Sequence, residues 1–325
     1  MSVPAAATGD ESEPLPIAVL SLNPAVDMTY EVPRLIADQK AHAVATRFDP
    51  GGNGINVGRA LKRLDTFAYG YCVVAGEIGQ LLKHLLRQQL DWVDYEEVEG
   101  ETRINGTAIE QHPRAQYEIS GIGPTIPPVQ LETLLKRFEQ QAGKGFGVLT
   151  GSTQSGIPAT LYADLIRRVT EQGGRAVVDS HDEALRLAIE ARPFLIKPNR
   201  YELETLLGRR LKDTETVARE ARALQQGGVT WVCVSLGAEG AILTGPDNSY
   251  LASAPKVTVH SSVGAGDSMV GALVAAFSRG IAPQDALRLG VACATGTVTR
   301  PGTELFSPDE VQHYFDGIEV RLLMI

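Results

Sequence analysis

Short apolar runs alternate with amphipathic stretches along most of the chain, and this rhythm predicts an α/β fold with a mostly parallel sheet. Residues 17–22 read as the first strand. Residues 51–54 then open a helix in which Val57, Ala60, Leu61 and Leu64 share one face. Residues 67–74 read as a strand. Beyond residue 125 the alternation is regular: helices at 129–141 and 159–172, strands at 147–150, 176–179 and 194–196, then helices at 200–207 and 214–226. A strand at 231–235 and a hairpin pairing 241–243 with 250–252 follow. Helices at 264–278, 283–295 and 308–315 close the chain. Two segments, about 28–48 and 98–119, alternate polar and apolar residues and fall outside this rhythm. One antiparallel sheet built from both would cover the crevice of the main domain as a lid.

At 325 residues the chain is long enough for one large α/β domain or about two smaller ones. Its composition, 43% hydrophobic and 21% charged, excludes collagen-like, coiled-coil and disordered chains. A net charge of −9 argues against nucleic-acid binding but leaves room for an anion in a local pocket. Cys72, Cys233 and Cys293 stand far apart among apolar or small residues, as buried thiols in a reducing compartment do. Residues 1–14 lack a basic n-region and read as a disordered tail. No apolar run reaches the roughly 18 residues of a membrane helix, so a cytoplasmic protein is expected.

Four segments carry candidate chemistry. In Ser261-Ser262-Val263-Gly264-Ala265-Gly266-Asp267-Ser268, small residues precede a clean helix. Glycines let backbone N–H groups converge, and the helix start adds free donors and partial positive charge. Together these make an anion hole, with Asp267 at its edge as an ionised base for a substrate hydroxyl. Alone, the segment also reads as a capped helix after a Gly-rich turn. Gly51-Gly52-Asn53-Gly54-Ile55-Asn56 is a second Gly-rich helix start. Asp27 follows the first strand, where open α/β sheets meet their ligands, and could accept bonds from sugar hydroxyls or simply close a turn. Asn199 and Glu202 start a helix three residues apart and suit either water around magnesium or a capping box. The Walker A pattern and the G-x-G-x-x-G fingerprint are absent, which disfavours P-loop kinases and nicotinamide enzymes. The histidines show no metal-ligand spacing.

In this order, the four segments resemble the PfkB/ribokinase family of carbohydrate kinases over nearly the whole chain after residue 15. The two most specific parts are Pro50-Gly51-Gly52-Asn53-Gly54-Ile55-Asn56-Val57 and Val263-Gly264-Ala265-Gly266-Asp267-Ser268. The second follows the branch acting on phosphorylated hexoses. The resemblance implies a doubly wound α/β domain with a small β lid, a homodimer through that lid, and transfer of the ATP γ-phosphoryl group with Mg2+. It implies that Asp267 is the catalytic base and that Gly264, Ala265 and Gly266 form the anion hole. Asp27, Gly52, Asn53 and Asn56 match sugar-binding positions, Lys40 and Arg103 the groups that hold the sugar's phosphate, and Ser152 a crevice serine. Lys197, Asn199 and Glu202 match the nucleotide and magnesium segment, and Ser235, Gly237 and Gly240 an ATP-binding turn. Ser261, Val263, Thr297, Arg300 and Gly302 match a loop that binds a monovalent cation such as K+ through backbone carbonyls.

Three departures from the family pattern bear on the substrate and the cation loop. The family's Gly-Ser-Leu-Pro-x-Gly reads Gly151-Ser152-Thr153-Gln154-Ser155-Gly156 here, with Thr153-Gln154 in place of Leu-Pro. Position 53 is Asn, where 1-phosphofructokinases usually carry Lys and the minor 6-phosphofructokinase type Gly, and this disfavours the 1-phosphate. Glu304 stands where the minor type has Arg, which weakens the cation-loop reading. Fructose 6-phosphate is the expected substrate. The alternatives are 1-phosphofructokinase, tagatose-6-phosphate kinase, a nucleoside kinase and, from another class, a non-catalytic sugar-phosphate or nucleotide-binding regulator.

Overall fold

The computed structural model describes residues 14–154 and 156–325, so the tail expected over 1–14 lies outside the described residues up to residue 13. The elements run β1 (Ile17–Ser21), β2 (Ala25–Val32), β3 (Ala45–Gly51), α1 (Asn53–Arg63), β4 (Tyr69–Ala75), α2 (Gly76–Gln89), β5 (Trp92–Val98), β6 (Arg103–Glu110) and β7 (Ala115–Ile119). They continue α3 (Pro128–Ala142), β8 (Phe146–Thr150), α4 (Leu161–Glu171), β9 (Arg175–Asp179), α5 (Asp182–Glu190), β10 (Leu195–Ile196), α6 (Arg200–Leu207), α7 (Thr214–Gln226) and β11 (Trp231–Ser235). The hairpin β12 (Ala241–Thr244) and β13 (Ser249–Ala252), then α8 (Ala265–Ser278), α9 (Pro283–Val298), α10 (Pro308–Gly317) and β14 (Val320–Leu323) complete the chain.

Among the described residues, ten strands form one sheet in the order β14-β13-β12-β11-β10-β9-β8-β1-β4-β5. The seven from β11 to β5 are parallel, and the hairpin and β14 add an antiparallel edge. Helices cover both faces, which is why the central strands are unbroken apolar runs. The doubly wound, mostly parallel α/β sheet expected from the sequence is the one observed. A separate four-stranded sheet, β3-β2-β6-β7, gathers the two polar-alternating segments. The sheet is mixed and not antiparallel as expected: β2 and β6 run parallel, because the chain crosses through α1, β4, α2 and β5 between them, and only the outer pairs, β2 with β3 and β6 with β7, are antiparallel.

Several elements were not legible. The edge strands β5 and β14 carry mixed, half-exposed residues rather than an apolar run. The helix α2 buries only Gly79, Leu82 and Leu86, so its stripe is narrow.

Two helices set the site. A Cβ on Gly271 of α8 would meet the Ala60 Cβ of α1 at 2.9 Å, so these helices touch nearly backbone to backbone. Gly271 lies one turn after Asp267, and Ala60 one turn after Asn56. That close crossing brings the starts of both helices together above the C-terminal ends of β1, β8 and β9.

Candidate active site

Both helix starts are glycine-made. Gly52 caps α1 at φ 99° and Gly264 caps α8 at φ 78°, left-handed conformations that cost a side-chain-bearing residue strain. Neither start has a side-chain cap, and the Ala265 amide meets Ser262 O only at a long 3.4 Å, so the start of α8 keeps donors that a ligand can take.

Asp267 is 4% exposed. Its Oδ1 accepts from Asn53 Nδ2 at 3.0 Å and its Oδ2 from Asn56 Nδ2 at 2.9 Å. Burial, then the charge of Asp179, push its carboxyl up to about 6, against the pull of the two amides and Lys197. The sequence argument, in which the helix start keeps this group well ionised, therefore understates its basicity. Lys197 Nζ sits 3.2 Å from Asp179 Oδ1, the lysine buried and the aspartate nearly so. A Cβ on Gly266 would lie 3.3 Å from that ammonium, so the bare glycine brings Lys197 against the anion hole. Burial opposes the Lys197 charge, but Asp179 and Glu202 outweigh it and raise its pKa.

Asp27 projects from β2 and accepts from Asn105 Nδ2 of β6 at 2.8 Å. Burial raises its pKa. Gly51 is required beside it, because a Cβ there would fall 2.2 Å from the carboxylate. Arg103 donates twice to Asn23 O, at 3.1 and 2.7 Å, and once to Ser120 Oγ at 3.0 Å. Ser152 accepts from Asn23 Nδ2 at 3.3 Å. Asn199 and Glu202 form the capping box: Asn199 Oδ1 accepts from the Glu202 amide at 2.9 Å, and Glu202 Oε2 from the Asn199 amide at 2.8 Å.

Asp27, Gly52, Asn53, Asn56, Arg103, Ser152, Lys197, Asn199, Glu202, Gly264, Gly266 and Asp267 all line one polar cleft of about 460 Å³. A second cavity of about 470 Å³, mostly apolar, is lined by Ser235, Gly237, Gly240, Val257, Ala265, Met269 and Val298 among others. Ser262 and Gly266 border both, so the two meet at the start of α8. One space suits hydroxyls and phosphates, the other a flat apolar group.

Some expected residues lie elsewhere. Lys40 sits in the exposed segment between β2 and β3 and does not line the cleft. Ser261 Oγ accepts from the Val263 amide at 3.2 Å, and the buried Thr297 hydroxyl bonds Ser268 Oγ at 2.8 Å. Arg300 pairs with Glu310. Gly302 adopts φ 59°, and a Cβ there would fall 2.8 Å from Arg47 Nη2.

Sequence reasoning missed Asp179, Asn105 and Arg59. Asp179 ends a strand in the main sheet, and that position was the signal applied to Asp27 but not to Asp179.

The family model for pfkB family carbohydrate kinases matches residues 19–310. The chain belongs to that family. A 1-phosphofructokinase of Bacillus subtilis is 33% identical over 308 residues, covering 94% of this chain and 100% of its own. The ATP-dependent 6-phosphofructokinase isozyme 2 of Escherichia coli is 31% identical over 301 residues, covering 92% and 97%. A crystal structure of phosphofructokinase-2 from Escherichia coli in complex with potassium superposes with a TM-score of 0.88 at 31% identity, covering 93% of this chain and 99% of that one. The protein is a sugar kinase of this family, and the two-chambered cleft is where its residues converge. Among the described residues no helix is long and apolar enough to cross a membrane, and no three His, Cys, Asp or Glu side chains cluster as a metal site. The cysteines are free and buried.

Proposed function

We propose that the protein transfers the γ-phosphoryl group of ATP to a fructose phosphate, with Asp267 as general base. The observation that carries this reading is the placement of Asp267: at the start of α8, where a polar cleft and an apolar cavity meet. The adenine end of ATP would occupy the apolar cavity beside Ser235, Gly237 and Gly240. Its γ-phosphate would rest on the amides of Ala265 and Gly266, with Lys197 alongside. Backbone donors fixed in advance stabilise charge on the transferred oxygens without reorganisation.

The sugar would lie between Asp27 and Asp267. Asp27 has Oδ2 left for a sugar hydroxyl, since Asn105 takes Oδ1. The sugar's free hydroxymethyl would give its proton to Asp267, and its oxygen would attack the γ-phosphorus in line as the bond from that phosphorus to the β-phosphate oxygen breaks and ADP leaves. Arg103 and Lys40 would hold the existing phosphate. Lys40 stands outside the cleft, so its part requires the small sheet or its loop to close, which would also exclude water.

Glu202 and Asn199 fit a hydrated magnesium ion, because the cap engages Oε2 of Glu202 and leaves Oε1 for water. Such an ion would neutralise phosphate charge. The loop of Ser261, Val263, Thr297, Arg300 and Gly302 is the candidate for a monovalent cation such as K+. Tyr30, Phe48, Tyr117 and Ile119 leave exposed apolar surface on the small sheet, which supports a homodimer through it.

Asn53 favours fructose 6-phosphate, because it supplies no charge for a 1-phosphate. The likeness to 1-phosphofructokinases keeps fructose 1-phosphate as a second reading. A coupled assay of ADP release with fructose 6-phosphate, fructose 1-phosphate, tagatose 6-phosphate and fructose decides between them. Turnover on fructose alone, or on none of the four, would refute the proposal.

A further inference from the structure

Arg59 is among the largest fully buried side chains of the molecule, 2% exposed. It projects from α1 one turn below the cleft. Its Nη1 donates to Asn56 Oδ1 at 3.1 Å, to Pro50 O at 3.2 Å and to Thr303 O at 3.3 Å. Its Nε donates to Gln89 Oε1 at 3.3 Å. Burial lowers its pKa to about 10, so the cation persists at neutral pH. A buried cation held by neutral acceptors is an expensive way to fill a core position, which an apolar side chain fills more cheaply. The donors themselves must matter.

A guanidinium only donates, and an ionised carboxylate only accepts. The Asn56 amide lies between one of each: Oδ1 toward Arg59 and Nδ2 toward Asp267. We propose that Arg59 is a positioning residue for phosphoryl transfer: it fixes the Asn56 amide in the one orientation that presents Nδ2 to Asp267. With Arg59 in place, turning the amide over sets oxygen against the carboxylate and NH2 against the guanidinium, losing both bonds. Without it, the turned amide accepts the proton of a protonated Asp267 and stabilises the inactive acid. Arg59 thus keeps the base ionised through Asn56 rather than by touching substrate. The inference rests on Asp267 being the base.

The other groups facing Asp267 are Asn53 from α1, Asp179 from the end of β9 and Lys197 from beyond β10. Arg59 itself faces the charges of Asp49, Asp27, Arg47 and Arg63. None of these lies between Arg59 and Asp267 as Asn56 does by hydrogen bond.

The test is the pH profile of kcat/KM for the fructose phosphate in Arg59→Met, Asn56→Ala and the double variant. Arg59→Met should move the acidic limb up by about one pH unit, a tenfold change in the base's proton affinity. Its kcat/KM at pH 6 should fall about fivefold with the KM for ATP within about twofold, since the change acts on the base and not on nucleotide binding. On the Asn56→Ala background the same substitution should add no further shift. An unmoved limb, or an equal shift with Asn56 absent, overturns the proposal. Should Arg59→Met not fold, or the wild type turn over no fructose phosphate, side-chain NMR of the wild type decides. The Asn56 amide and Arg59 Nη1–H resonances should titrate with one shared midpoint, that of Asp267. Movement of Asn56 with Arg59 flat overturns it. Failure of the kinase reading shows as absent turnover, whereas failure of the positioning role shows in the resonances.

Discussion

Asn56 Nδ2 lies 2.9 Å from Asp267 Oδ2, a hydrogen bond that joins the first turns of α1 and α8 across the floor of the cleft. Each residue comes from one of the two glycine-rich segments, 211 positions apart in the chain. The close pass of Ala60 and Gly271 one turn below sets their separation.

The basicity of Asp267 makes activity pH-dependent. Its carboxyl titrates near 6, raised from 3.8 by burial and by Asp179. Only the ionised form accepts a proton, so kcat/KM should fall about tenfold per pH unit below 6 and level off above 7. A profile flat down to pH 5 would contradict this. For stability the sign is opposite. The folded state holds this proton to higher pH than the unfolded chain, so the carboxyl costs stability above 6, and that cost disappears as pH falls from 6 toward 3.8.

Gly51 has no room for a methyl group beside Asp27. Gly51→Ala should displace that carboxylate and raise the sugar-phosphate KM about tenfold, the effect of losing about 1.4 kcal/mol from one hydrogen bond to a charged group. The KM for ATP should stay within about twofold. Equal changes in both would show that Asp27 does not serve the sugar.

The capping box separates two roles of Glu202. Glu202→Gln keeps an oxygen for the Asn199 amide, so thermal stability should hold while the magnesium concentration for half-maximal rate rises several-fold. Glu202→Ala should also lose the half of the box that accepts from the Asn199 amide, while the Asn199 side chain keeps its bond to the backbone of residue 202, at about 0.5–1 kcal/mol, read as a lower Tm. An unchanged magnesium requirement in both would remove the metal role.

Arg103 and Lys40 make a matched pair of tests. Alanine at either should raise the KM for the sugar phosphate far more than that for ATP, because each would hold only the sugar's phosphate. Arg103→Ala also removes three bonds to Asn23 and Ser120, so its Tm should be measured alongside.

The parallel sheet was legible because buried strands such as β8, β9 and β11 are short apolar runs between helices with clear stripes. α6 and α7 were read to the residue, since the Asn199 and Asp213 caps mark their starts. The Gly-rich turns located the site, because left-handed caps at Gly52 and Gly264 leave a signature in composition. What touches what was not legible. Asn53 and Asn56 were read as sugar ligands, yet both bond the Asp267 carboxylate, a contact that exists only after two distant helices cross. The Lys197–Asp179 pair is of the same kind, made by neighbouring strand ends.

The central claim is that Asp267 takes the proton from the attacking hydroxyl. The most direct measurement compares ADP release by the wild type and Asp267→Asn at saturating ATP and fructose 6-phosphate or fructose 1-phosphate, with ATP affinity determined on the same preparations. The account predicts that the variant binds ATP within about threefold of the wild type and loses turnover by about 10³ or more. A variant that binds ATP normally and retains turnover within tenfold of the wild type would contradict it.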